Sequence, residues 1–239
     1  MFRKGVIHTM KIICSKSSLL KSVSIALKAV PSKTTMPILE CILMDATTNQ
    51  IKFTTNDMEL GIETIVEGTI EEKGKVALDA KIFYEIIRRL PDNDVTIKTD
   101  DKYAATITCE KAKFNIPGKS GEDFAYLPMI EKDEPLTISQ YTLKEMIRQT
   151  IFSIAVNENN KLMTGELFEI KNNCLKVVSL DGHRISIRKM LLKKDYSDRK
   201  VVVPGKTLSE VSKILSGEVD DQVSIYFTKN HILFEFDQT

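Results

Sequence analysis

The chain has 239 residues, 42% hydrophobic and 28% charged, with 34 basic side chains against 33 acidic and a net charge of +1. That length suits one large domain or two ordinary ones, and no apolar run approaches the ~20 residues of a membrane span, so a soluble cytoplasmic protein is expected. The charge balance argues against nucleic acid being held by overall attraction, but leaves room for basic side chains gathered on one face.

The four cysteines (Cys14, Cys41, Cys109, Cys174) are far apart and make no C-x-x-C, and the three histidines (His8, His183, His231) are isolated. Metal-ligand spacing is therefore missing, no metal or cofactor is expected, and the thiols read as reduced core residues. Glycine-rich phosphate loops, G-x-S-x-G and H-E-x-x-H are likewise not found.

In chain order, residues 1–9 read as an upstream tail, and Met10 opens the first strand-like segment. A helix is predicted over Ser18–Val30, with Leu19, Leu20, Val23, Ala26, Leu27 and Val30 inward and Lys21 and Lys28 outward. Strand-like runs follow at Ile42–Ala46 and Asn49–Thr54, separated by a turn. A second helix, Asp79–Leu90, has Ile82, Phe83, Ile86, Ile87 and Leu90 on its core stripe, with Lys81, Arg88 and Arg89 off it.

The polar stretch Ile130–Pro135 reads as a linker, dividing the chain into domains 10–130 and 131–239. Beyond it a helix is predicted from Thr142 to Ala155 or Val156, with Leu143, Met146, Ile147, Ile151 and Ile154 inward and Lys144 and Arg148 outside. A hairpin (Leu167–Ile170, Asn173–Val178) and a fourth helix, Thr207–Leu215, complete the set.

The order of elements repeats after about 125 residues. Val76–Leu90 matches Val201–Leu215, so that Lys81, Glu85, Arg88 and Leu90 fall on Lys206, Glu210, Lys213 and Leu215. The hairpins correspond too, with Ile42 set against Leu167 and Asp57 against Asp181. Each helix has a basic outer face, while most acids fall in strands and loops; helices sharing one side would offer phosphates a positive surface without reading bases.

The segment Asp181-Gly-His-Arg184 is the most site-like in the chain. As an enzyme, Asp181 could orient His183 as a general base; as structure, Asp-Gly simply makes a tight turn; as a binding element, the turn displays an imidazole, a guanidinium and Ile185 side by side.

On several quoted segments the chain resembles the bacterial DNA polymerase III beta subunits, the sliding clamps. The first copy carries Met36-Pro-Ile-Leu39, Thr55-Asn-Asp-Met-Glu-Leu60, Ala80–Pro91 and Phe124-Ala-Tyr-Leu-Pro128. The second carries Thr164-Gly-Glu-Leu-Phe168, Ser179–Ile185 and Val201-Val-Val-Pro204. The resemblance implies an α+β DNA-clamp fold of repeated domains, each with two helices packed against antiparallel sheets. It implies a non-catalytic accessory subunit of a DNA-directed DNA polymerase holoenzyme, a processivity factor working in DNA replication. In the family, three-domain chains form a head-to-tail homodimer that closes a ring around duplex DNA.

The expected DNA-facing positions are Lys33, Lys81, Asn157, Lys161 and Leu162. The expected partner-peptide pocket is Met163, Leu180, Gly182, His183, Arg184 and Ile185, and the ring interface Ile86, Leu90, Phe114 and Ile116. Expected partners are double-stranded DNA, the polymerase III alpha subunit, the clamp loader and other proteins with a clamp-binding motif. Leu162 departs from the aromatic residue of some relatives, and Leu180 from a common threonine. Two copies instead of three imply that the third domain is absent, the second C-terminally truncated, and that this chain cannot close the usual ring alone. Length by itself would also suit a two-domain clamp closing as a trimer.

Overall fold

A computed structural model describes residues 9–156 and 160–239. The chain divides into two compact units: residues up to Pro128 together with Gln238 and Thr239, and Met129–Asp237.

The first unit runs β1 (Lys11–Ser15), α1 (Lys16–Ala26), β2 (Cys41–Asp45), β3 (Ile51–Asn56), β4 (Gly61–Val66), β5 (Thr69–Glu72), β6 (Lys75–Asp79), α2 (Ala80–Arg89), β7 (Asp94–Thr99), β8 (Ala105–Cys109), β9 (Ala112–Ile116) and β10 (Gly118–Ser120). Two antiparallel sheets form, in the orders β5-β1-β7-β8-β9 and β10-β6-β2-β3-β4. Both helices start on a side-chain cap: Ser15 accepts from the amide of Ser18 at 3.1 Å, and Asp79 from that of Ile82 at 2.8 Å. The α1 helix stops at Ala26 and passes into a 3-10 turn, Leu27–Ala29, short of the predicted Val30. Its terminal Ala26 carbonyl accepts a 2.6 Å bond from the buried hydroxyl of Thr55 on β3.

The core of this unit joins α1, α2 and both sheets, with Phe53 and Phe83 edge to face, their ring centroids 6.1 Å apart. On α2 the buried stripe is Ala80, Phe83 and Ile87, with Ile86 packed partly against it. Ile82 was expected inward but is 48% exposed, because it lies one residue outside that stripe.

The second unit runs β11 (Leu136–Ser139), α3 (Gln140–Arg148), β12 (Gly165–Lys171), β13 (Cys174–Leu180), β14 (Ile185–Leu191), β15 (Arg199–Pro204), α4 (Gly205–Ile214), β16 (Gln222–Phe227) and β17 (Ile232–Glu235). The predicted third helix is overlong. It ends at Arg148 and is followed by a separate 3-10 turn, Ile151–Ser153. The hydroxyl of Thr150 bonds back to the carbonyl of Met146 at 2.8 Å, and the Thr150 carbonyl takes a 2.5 Å bond from Ser179 on β13, which together close off the helix end.

The repeat is visible in the sheets. The order β6-β2-β3-β4 recurs as β15-β12-β13-β14, and β1-β7-β8 as β11-β16-β17. The ladders also correct the hairpin alignment. Ile42 lies opposite Leu78, and Glu166 lies opposite Val203, the residue that matches Leu78 along the aligned helices. Ile42 therefore corresponds to Glu166, one residue earlier than expected, because a strand's facing is set by its pairing and not by identity.

Cys14, Cys41 and Cys109 are buried free thiols and Cys174 is half-buried. Burial pushes the Cys14 thiol up to about 12. Among the described residues, no helix is long and apolar enough to cross a membrane.

Candidate functional site

The β13–β14 hairpin carries the Asp-Gly-His-Arg turn at its tip, with Leu180 paired to Ile185 on either side. Gly182 has φ +85°, a left-handed conformation that favours glycine and permits so tight a reversal. Asp181 organises the turn from within. Its Oδ1 accepts from the amides of His183 and Arg184, both at 3.0 Å, and its Oδ2 from Arg184 Nε at 2.8 Å. The His183 amide is the leading cause that holds the Asp181 carboxyl below its usual range, reinforced by Arg184. The acid that might have oriented the His183 ring is thus engaged by backbone amides and a guanidinium, a turn built for display and not for proton transfer.

Around the turn lies an apolar patch. A Cβ on Gly182 would come 3.9 Å from the Met163 methyl, which puts Met163 beside the turn. Leu180, Ile185, Ile187, Phe152 and Leu162 are all exposed, and the Arg184 guanidinium stands 5.8 Å from the Phe152 ring centroid. The expected pocket residues Met163, Leu180, Gly182, His183, Arg184 and Ile185 therefore share one region of the second unit. Phe152 joins them, unforeseen because the sequence reading placed it on a helix that has already ended.

Of the expected DNA-facing residues, Lys33 is exposed in the loop before the 3-10 turn Pro37–Glu40, and Lys81 on the first turn of α2. Lys161 and Leu162 are exposed on the 3-10 turn Lys161–Thr164, while Asn157 lies outside the described residues. The helix faces are less uniformly basic than expected. Glu85 pairs with Arg88 and Arg89, Glu145 with Arg148, and Glu210 with Lys213, each within one helical turn. Lys144 is half-buried and donates to the Leu215 carbonyl just past the end of α4, a structural role. Lys21, Lys28, Lys81 and Lys206 remain exposed on or beside the helices.

The ring-interface set is mixed. Phe114 is 40% exposed on β9, an edge strand. Leu90 and Ile116, however, are only 4% and 6% exposed within the core of the first unit, and Ile86 packs partly against it. Their apolar character is accounted for by that core.

Residues 10–128 match the family model for the N-terminal domain of the DNA polymerase III beta subunit, and residues 137–239 that for its central domain. A beta sliding clamp from Staphylococcus epidermidis is 33% identical over 216 residues, covering 87% of this chain and 57% of the relative. Among solved structures, a DNA polymerase III beta subunit from Eubacterium rectale is similar with TM-score 0.95 and 67% identity, over 96% of this chain and 63% of that one. The DNA polymerase sliding clamp from Bacillus subtilis gives 0.92 and 34%, over 96% and 62%. The chain thus spans about 57–63% of the length of these relatives.

Proposed function

This chain belongs to the DNA polymerase III beta subunit family, and we propose that it works as part of a sliding clamp, a cytoplasmic, non-catalytic processivity factor for a replicative polymerase. In this reading the clamp of which it is part encircles duplex DNA as a head-to-tail dimer and holds it by topology. Exposed lysines, Lys33, Lys81 and Lys161 among them, make salt-sensitive phosphate contacts without reading sequence. Polymerase subunits, the clamp loader and other partners dock a short linear motif on the patch around the Asp181–Arg184 turn.

The observation that carries the docking role is the patch itself: Leu180, Ile185, Phe152 and Leu162 exposed around a turn rigidified from within by Asp181. A fixed display of apolar side chains beside a guanidinium suits an apolar peptide anchor, whose burial contributes roughly 1.5–3 kcal/mol per side chain. A fluorescence-anisotropy titration with a labelled peptide bearing a Leu-Phe anchor tests it. Saturable binding weakened by Arg184→Ala and by Ile185→Asp is expected. Absence of binding, or binding indifferent to both substitutions, removes the docking assignment.

A further inference from the structure

Glu166 sits outside the turn and outside the basic faces, in the interior of the second unit. It shares the core-facing side of β12 with Phe168 and Ile170 and is 0% exposed. Neither carboxyl oxygen has a hydrogen-bond partner. The hydroxyl of Thr150, the one group near enough to favour its ionised form, is committed to the carbonyls of Met146 at 2.8 Å and Ile147 at 3.3 Å. In the first unit the equivalent position is Ile42, also 0% exposed. The fold asks for an apolar side chain here and receives an acid without partners, an exception that calls for a reason.

Among the described residues, the groups that pack around Glu166 are neutral. Val203 lies opposite it across β15, the β12–β13 register that sets Leu167 against Val178 brings Ser179 alongside it, and Thr150 lies close to its carboxyl. The charged groups of the surrounding elements are engaged elsewhere or exposed. Lys176 pairs with Glu169, Lys213 with Glu210 and Arg148 with Glu145; Lys144 holds the Leu215 carbonyl, Arg184 holds Asp181, and Lys161, Arg188, Arg199, Lys200 and Lys206 are exposed. Burial pushes the carboxyl up to about 7, with no charged neighbour contributing.

The same cross-strand row anchors the chain that carries the apolar patch. Ser179 on β13 donates to the Thr150 carbonyl at 2.5 Å, and Ser186, paired to Ser179 on β14, lies 2.6 Å from the hydroxyl of Ser153. The amide of Ala155 then bonds the Met163 carbonyl at 2.8 Å, tying residues 150–156 to 160–165. Those two stretches hold Phe152, Leu162 and Met163.

We propose that Glu166 is a positioning residue for this patch: as a neutral acid it leaves residues 150–156 and 160–165 seated on the serine row, and its ionisation unseats them. The consequence for peptide docking rests on the function proposed above; the movement of the two stretches does not.

The test is amide hydrogen exchange of the chain between pH 6 and pH 8.5, read as protection after correction for intrinsic exchange, in the wild type and in Glu166→Gln. One pH unit above its midpoint an acid is roughly tenfold more ionised than neutral. Protection at Ala155, whose amide makes the bond between the two stretches, is accordingly expected to fall roughly tenfold in the wild type by pH 8 and to stay level in the Gln variant. A level wild-type profile overturns the proposal, and so does an equal fall in both proteins. If the Gln variant does not fold, Glu166→Ile takes its place, and a carbon-13 titration of the wild-type carboxyl gives an independent answer. A midpoint in the ordinary carboxylate range overturns the assignment. The Leu-Phe peptide is titrated over the same pH range. Affinity falling in step with protection upholds both readings. Protection that responds while the peptide binds at no pH upholds Glu166 and removes the docking reading.

Discussion

Replacing Glu166 should change the stability of the second unit in a pH-dependent way whose sign and size follow from its burial. Its ordinary value is 4.5 and burial pushes it up to about 7. The fold thus favours the neutral form, so its contribution is fully present below about 4.5, declines as pH rises, and is gone above about 7. The difference between 4.5 and 7 corresponds to about 3 kcal/mol. Glu166→Gln keeps the shape and the unsatisfied polar group but removes the ionisation, so it should match the wild type near pH 4.5 and exceed it by about 3 kcal/mol at pH 8. Glu166→Ile, which copies Ile42, should be more stable still, because it also removes the buried polar group, at about 1–3 kcal/mol. Urea unfolding at a series of pH values, followed by a probe in the second unit, measures this. Parallel pH profiles for the wild type and the Gln variant would refute the reasoning, since they would mean that Glu166 keeps an ordinary affinity for its proton.

Other substitutions test the remaining structure. Thr55→Val keeps shape but removes the buried bond that its hydroxyl makes to the Ala26 carbonyl, and should cost about 0.5–1.5 kcal/mol, read as a lowered Tm of the first unit; no change would mean that the bond contributes nothing to stability. Gly182→Ala has room, with only the Met163 methyl at 3.9 Å, but must adopt φ +85°, so about 1 kcal/mol lost in urea unfolding is expected from strain alone. Phe168→Ala, emptying a fully buried ring site, should cost about 3–5 kcal/mol, against less than 0.5 for an exposed change such as Lys189→Ala. A thiol reagent at pH 8 should modify Cys174 quickly and the buried Cys14, Cys41 and Cys109 only on unfolding; more than one rapid equivalent would contradict the burial assigned to them.

Much of this architecture was legible in the chain itself. Helical spacing marked α1 and α2, the Asp-Gly pair marked the turn at 181–184, and self-similarity marked the two units, because periodicity and turn chemistry are local properties. The resemblance to the clamp family likewise rested on short segments readable one by one. What local pattern could not carry was where helices stop and which way strands face. The apolar residues Ile151 and Ile154 continue the α3 spacing, yet the helix ends at Arg148, where the Thr150 hydroxyl takes the Met146 and Ile147 carbonyls and Ser179 holds the Thr150 carbonyl through a contact spanning 29 residues. How far Leu90 and Ile116, read from the sequence as interface residues, are buried against the core of the first unit is likewise a matter of packing.

Glu166 is the sharpest instance. In the sequence Gly-Glu-Leu-Phe-Glu-Ile it looks like one of two ordinary strand acids. Only pairing with β13 and β15 separates them, turning Glu169 outward to Lys176 and Glu166 inward, away from any partner. The residues determined that a strand would form there. Its facing, and with it the environment that keeps an acid neutral, was decided by long-range pairing that no local pattern encodes.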